Sequence, residues 1–268
     1  MSELACLDGR VAPAEETYVP ATDEGLLRGD GVFEVVRVYG GVPFALDDHL
    51  ARMERSAANL RLPLPATELV RDEAVALLEQ RGGPFEGALR IVITRGGRRL
   101  LLTEPLPESS FAETIRLGVV TYSPTRVLDG IKSLSYAGNM LASRLARERG
   151  FDEALLVTPH GRVLEAPTSS LFWVEADGTV CTPPLDEHIL ASITRDRVMQ
   201  LLDVVERPAT LDDVQGAAEA FLASTTREAQ AVAAIEDRDL PPAPGDVTRE
   251  AGQALRSRIE EELQAVRA

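Results

Sequence analysis

The sequence predicts an α+β fold in two domains. A small N-terminal α/β sandwich-like unit covers 1–122, and a larger β-rich unit with helices covers 131–268. Three observations carry this expectation. Strand-like and helix-like segments mix in the first third, a turn-rich stretch, SPTRVLDG, interrupts the pattern at 123–130, and two hairpin patterns then lie between helical ones.

Residues 32–39, VFEVVRVY, are rich in β-branched and aromatic types and end in Gly40-Gly41, a hairpin turn before VPFAL. From Asp47, an N-cap candidate, apolar residues fall at Leu50, Met53, Ala57 and Leu60, a helical spacing that RLPLP closes. Thr67 opens a second helix, which stops at Gly82-Gly83-Pro84. Strands are predicted at 88–94 and 114–122, giving a first sheet of about four strands. Beyond the connection the pattern predicts a helix over 137–149, hairpins EALLVT-PHG-RVLEA and SSLFWVE-ADG-TVCTPP, helices over 192–204 and 247–264, and a short buried strand at 219–224.

Forty-three acidic residues against 28 basic ones, with a pI near 4.7, exclude phosphate backbones and anionic lipid as natural partners. The N-terminal MSELACLDGR has no basic segment before an apolar stretch, and no later apolar run approaches the roughly 18 residues of a membrane span. A cytoplasmic protein is expected. Cys6 and Cys181 form no CxxC, and His49, His160 and His188 are scattered, so no metal centre is indicated. One count is sharper: 27 arginines accompany a single lysine, Lys132. Arginine stays protonated at any usable pH, whereas a buried lysine can become a nucleophile. A lone survivor of the compositional bias fits the count equally well, so the neighbourhood must decide.

Lys132 stands in GIKSLSY, beside the interdomain connection. Some thirty residues on, GRVLEAPTSSLF places Glu165 at the start of a loop of small residues. LASITRD sets Ser192, Ile193 and Thr194 at a helix N-terminus, whose free N–H groups suit a phosphate. ASTTRE offers hydroxyls after a strand, and Arg52 on the first helix supplies a cation. Each has a plainer reading as a cap, a turn or a solvated face. Together they form the amine, acid, cation and phosphate cradle that a pyridoxal 5′-phosphate (PLP) site requires.

The ordered segments DEGLLRGDGVFEVVRVY, DDHLARM, GIKSLSY, GRVLEAPTSSLF, LASITR and FLASTTREAQAV resemble the class IV, or fold-type IV, PLP-dependent aminotransferases over most of the chain. The resemblance implies Lys132 as the Schiff-base lysine and Glu165 as the acid at the pyridine nitrogen. It implies Arg52, the Ile193 and Thr194 amides and Thr225 as the phosphate holders. Tyr136 resembles the tyrosine at the cofactor's phenolic oxygen, one residue nearer the lysine than in branched-chain enzymes. A homodimer using an amino donor and a 2-oxo acid acceptor is expected. VFEVVRVYGG is similar to the D-amino-acid aminotransferase segment, which implies Phe33 and Glu34 facing substrate, while Arg37 resembles the branched-chain pattern. TRGGRRLLL lacks the histidine of the D-amino-acid carboxylate trap, and Arg98 or Arg99 is the substitute candidate. The resemblance thus implies a D-amino-acid transaminase that also takes (R)-amines. A 4-amino-4-deoxychorismate lyase and a branched-chain L-amino-acid aminotransferase are the alternatives.

Overall fold

The computed structural model describes residues 3–240 and 242–267. They divide into two compact units, one built from the chain up to Leu106 with Gly130–Tyr136, the other from Pro107–Asp129 and the chain from Ala137 onward.

The first unit contains β1 (Leu4–Leu7), β2 (Arg10–Pro13), α1 (Glu24–Arg28), β3 (Gly31–Tyr39), β4 (Val42–Pro43), α2 (Leu46–Leu60), α3 (Thr67–Arg81), β5 (Gly87–Thr94) and β6 (Arg99–Glu104). Its six-stranded sheet runs β2-β1-β6-β5-β3-β4, every pair antiparallel. Strand alternation sends Val32, Val36 and Val38 to one face with Ile91, Ile93 and Leu101. There they meet Leu50, Met53 and Ala57 of α2 and Val70, Ala74 and Leu77 of α3 in one buried cluster. The helical spacing read over 47–60 is the face that α2 buries.

The sheet is larger than the expected four strands and differently composed. β1 and β2 have four residues each, too few for a period-2 pattern to register. β6 begins at Arg99, the last arginine of TRGGRR, and is a strand because β5 and β1 pair with it on either side. The segment predicted at 114–122 belongs to the second unit instead. The expected boundary at 122 and linker at 123–130 are therefore corrected: the chain leaves the first unit after Leu106 and returns for Gly130–Tyr136. That return is held by a bridge between Val32 and Ser133, and the Leu134 N–H donates to the Gly31 carbonyl at 2.9 Å.

The second unit contains β7 (Thr114–Thr121), α4 (Ala137–Glu148), β8 (Glu153–Val157), β9 (Ser170–Val174), β10 (Val180–Thr182), α5 (Ile193–Leu201), β11 (Val204–Glu206), α6 (Leu211–Gln215), β12 (Glu219–Ser224), β13 (Glu228–Ile235), β14 (Arg238–Asp239) and α7 (Asp246–Arg267). Its sheet runs β11-β10-β9-β12-β13-β7-β8, with β14 on β13. β7 lies parallel to both β13 and β8, partners distant in sequence that leave no hairpin signal. One face buries Ile115, Leu155, Trp173 and Leu222; the other sets Phe172 and Phe221, stacked at 4.9 Å, against Val198 of α5 and Leu255 of α7. RVLEA, expected as a full hairpin arm, makes only isolated bridges: Val163 to Val157, Arg162 to Thr210 and Ala166 to Ser169. Among the described residues no helix is long and apolar enough to cross a membrane.

Candidate active site

Lys132 is fixed by both of its backbone polar groups. Its N–H donates to the buried Ser56 hydroxyl of α2 at 3.1 Å, and its carbonyl accepts from the Phe33 N–H of β3 at 3.1 Å. Ile131 packs on the core of the unit beside it. The Lys132 Nζ lies 4.5 Å from the Phe33 ring centroid and 5.8 Å from that of Tyr136, and the two rings meet edge-on at 5.3 Å. Three predicted residues, Lys132, Phe33 and Tyr136, are thus brought together.

Strand geometry separates the remaining candidates of β3. Phe33, Val35 and Arg37 share one face, and Val35 stands opposite Arg90 of β5, so Arg90 lies on that face too, its guanidinium 5.7 Å from the Phe33 centroid. Arg90 engages Glu104 through Nε at 2.7 Å. Arg37 sits 4.7 Å over the Tyr39 ring and 3.7 Å from Glu86, and its buried Nε has no hydrogen-bond partner among the described residues.

Glu34 points the other way, and this corrects the expectation that it faces substrate. Successive strand residues project to opposite sides, so the neighbour of Phe33 is driven under α2, where it is fully buried. There Arg52 donates to it through Nε at 2.8 Å and Nη2 at 2.6 Å, and His49 Nδ1 lies 2.8 Å from its second oxygen. Burial alone would raise the Glu34 carboxyl; the Arg52 charge, with hydrogen bonds from Arg52 and His49, outweighs it and brings the pKa down to about 2. His49 is pushed below its ordinary value by burial, against the opposing pull of Glu34. Arg52, expected as a cation for phosphate, therefore already carries one carboxylate.

Arg98 and Arg99 are likewise committed within their own unit. Arg98 meets Asp8 at 2.7 Å. Arg99 stands opposite Ile93, on the helix-covered side of the sheet, and binds Glu73 of α3 at 2.7 Å. It faces away from Phe33, which corrects its candidacy as a substrate-carboxylate binder.

In the second unit, Glu165 accepts from the Leu190 N–H through Oε1 at 3.1 Å. Burial and the Glu165 charge push the Tyr122 hydroxyl up, which puts that ring near the carboxylate. Asn139 of α4 donates to the Pro167 carbonyl at 3.0 Å and ties down the loop after Glu165. Ser192 caps α5 as predicted, accepting from Arg195 N–H at 3.3 Å. Ile193 and Thr194 are buried in the first turn, where backbone N–H groups lie outside the intrahelical ladder. Thr225 occupies the turn between β12 and β13. Ser56, His49, Arg90 and Leu190 escaped sequence reading, although Ser56 and Arg52, four apart on one helix, share a face that could have signalled the first.

Each unit carries groups of the chemistry PLP needs: the first a primary amine beside aromatic rings, the second a carboxylate that accepts from the Leu190 amide, a capped helix start with two first-turn amides, and a hydroxyl turn. The family model for amino-transferase class IV matches residues 31–235. The chain is 34% identical to a provisionally named branched-chain-amino-acid aminotransferase of Methanocaldococcus jannaschii, over 87% of this chain and 88% of that protein. It is 32% identical to the D-alanine aminotransferase of Bacillus licheniformis, over 94% and 95%. Among solved structures it is similar to a fold IV-transaminase of Curtobacterium pusillum, with TM-score 0.83 and 30% identity, covering 94% and 98%. It is also similar to the branched-chain aminotransferase of Thermoproteus uzoniensis, with TM-score 0.88 and 28% identity, covering 97% and 95%. A lone lysine set among aromatic rings, in a fold shared with transaminases from end to end, has one home: this chain belongs to the class IV aminotransferases, enzymes that use PLP.

Proposed function

We propose that the protein transfers the amino group of a D-amino acid to a 2-oxo acid. The observation that carries the reading is Lys132 Nζ, the only side-chain amine of its kind in the chain, held 4.5 Å from the Phe33 ring by a doubly pinned backbone. The D-selective form is supported by the likeness of VFEVVRVY to D-amino-acid enzymes and by the D-alanine aminotransferase that matches 94% of the chain.

PLP, when bound, supplies the aldehyde that receives the amino group and a ring that draws electrons from the substrate's Cα–H bond. Lys132 Nζ holds the cofactor at rest and, once freed, takes the proton from the substrate's Cα. Glu165, with Oε1 on the Leu190 amide, keeps a proton on the ring nitrogen by its negative charge. The Ile193 and Thr194 amides and the Thr225 hydroxyl hold the phosphate. Arg52, oriented by its two hydrogen bonds to Glu34, is the cation that the family resemblance assigns to the phosphate. Tyr136 and Phe33 wall the lysine side. Arg37 and Arg90, on the Phe33 face, replace Arg98 and Arg99 as the cations for the substrate carboxylate. A homodimer belongs to this reading and is checked by size-exclusion chromatography with light scattering.

A second reading, L-branched-chain transamination, is favoured by Arg37 and by the 34% identical relative. Mixing the yellow holoenzyme with D-alanine, L-leucine, (R)-1-phenylethylamine or 4-amino-4-deoxychorismate separates them. Bleaching by D-alanine, reversed only by a 2-oxo acid, is the expected result. Bleaching by L-leucine alone establishes the second reading. Release of pyruvate and 4-aminobenzoate with no acceptor makes the protein a lyase.

A further inference from the structure

The turn that carries Thr225 is anchored by a buried charge network that the chemistry above does not use. Arg227, two residues on, is 8% exposed; its partners Glu153 and Gln230 are 2% and 3% exposed, and Ser143, which bonds Glu153, is 4% exposed. Arg227 Nη2 donates to Glu153 Oε2 at 3.0 Å and Nη1 to Gln230 Oε1 at 2.5 Å, while its backbone N–H donates to the Ser224 hydroxyl at 3.3 Å. Glu153 accepts in addition from the Ser143 hydroxyl at 2.6 Å and the Ala154 N–H at 3.0 Å. Gln230 Nε2 reaches the carbonyls of Ser109 at 2.8 Å and Ala112 at 2.5 Å. Strands β8 and β13 therefore meet the guanidinium directly through Glu153 and Gln230, and helix α4 and the segment before β7 brace those two partners, at the end of the β12–β13 hairpin.

Such a pair is a poor device for stability alone. Burying two charges costs free energy that well-packed apolar residues avoid, and replacing both partners is often neutral or stabilising. What it does well is fix direction, because every donor and acceptor has one place to be. Directly after the turn, Glu228, the first residue of β13, is held at φ 58, a left-handed conformation for a side chain that persists only where the surroundings enforce it.

We infer that Arg227, locked by Glu153, is a positioning residue that sets the Thr225–Thr226 turn for the cofactor's phosphate, so that the site selects phosphorylated over unphosphorylated pyridoxal. The inference rests on the phosphate role given to Thr225 above. Arg227 touches the turn and not the cofactor, and it acts by denying the hairpin end its freedom to pivot.

The test measures binding of PLP and of pyridoxal, which lacks the phosphate, to apoprotein by calorimetry, with thermal melts of the same samples. Three variants are compared: Arg227→Met/Glu153→Met, which removes both charges at similar volume; Arg227→Lys, which keeps the charge; and Glu153→Gln, which keeps the shape. The double variant should melt close to wild type and lose about tenfold or more in PLP affinity, with pyridoxal affinity unchanged, as expected when one charge-assisted phosphate contact is misplaced. Arg227→Lys and Glu153→Gln should fall between, and either keeps the test open if the double variant does not fold. A PLP-to-pyridoxal affinity ratio unchanged from wild type in all soluble variants overturns the inference, as does a parallel loss for both ligands. Wild-type protein that fails to prefer PLP overturns the phosphate site itself, and the clamp with it.

Discussion

The backbone N–H of Lys132 donates to the hydroxyl of Ser56 at 3.1 Å, so a small side chain on α2 sets the height of the residue that bears the chain's only lysine amine. Helix α2 also carries Arg52 and His49, both bonded to Glu34, which makes one helix the common support of the lysine and of the buried ion pair. Ser56→Ala leaves the part-buried Lys132 N–H without its acceptor, at a cost of about 1 kcal/mol. It should also lower kcat by about ten- to a hundredfold through misplacement of Nζ. Urea melts and steady-state kinetics check the two effects separately, and a normal kcat in the folded variant would make Ser56 purely structural.

Lys132→Ala should abolish turnover and leave no side chain to which borohydride can fix the cofactor. No second lysine exists, so only the α-amino terminus offers another primary amine. Peptide mass mapping after reduction reads the outcome, and a labelled internal residue would reassign the site.

Glu165→Gln keeps the shape at the Leu190 amide and removes the negative charge. The proton-transfer step should slow by about 10²- to 10⁴-fold, with PLP affinity largely retained. Stopped-flow half-reactions with D-alanine measure it. A rate equal to wild type would detach Glu165 from the ring nitrogen.

Acid stability should reflect the Glu34, His49 and Arg52 trio in two steps. The His49 pKa is lowered from its ordinary 6.5, so below that pH the unfolded chain takes up a proton that the native state does not, and stability falls. The Glu34 pKa is lowered from 4.5 to about 2, so its contribution is full above 4.5 and is lost as pH falls toward 2. His49→Asn should flatten the upper step and spare the lower one. Melting temperatures at pH values from about 3 to 8 resolve both steps, and an upper slope equal to wild type would exclude His49 as its source.

Arg37→Ala and Arg90→Ala should each raise KM for an amino-acid donor by about ten- to a hundredfold, the worth of a charge-assisted contact. Activity toward (R)-1-phenylethylamine, which has no carboxylate, should change little. Arg98→Ala, which loses only its pair with Asp8, should leave both unchanged. An equal loss for the amine would show that the two arginines shape the sheet and do not bind substrate.

Much of this was legible in the chain. The lone lysine needed only counting, α2 announced itself by Leu50, Met53 and Ala57, and Ser192 was a cap by type and place. The strands at 4–7, 10–13 and 99–104 were not legible, because short strands exist through their neighbours and carry little pattern of their own. Nor was the return of Gly130–Tyr136 to the first unit, which depends on a rung formed with Val32 across a hundred residues.

By itself, then, the sequence determined the chemistry available: one amine, one acid after a strand, a capped helix start, a hydroxyl turn, and the order of motifs that names a family. Tertiary structure decided who pairs with whom. Strand register put Phe33, Arg37 and Arg90 on one face and sent Glu34 and Arg99 to the other, where Arg52 and Glu73 took them up. Side-chain type is local and can be read from a string. Burial and partnership arise from long-range pairing, and these choose which of 27 arginines remain to meet a substrate.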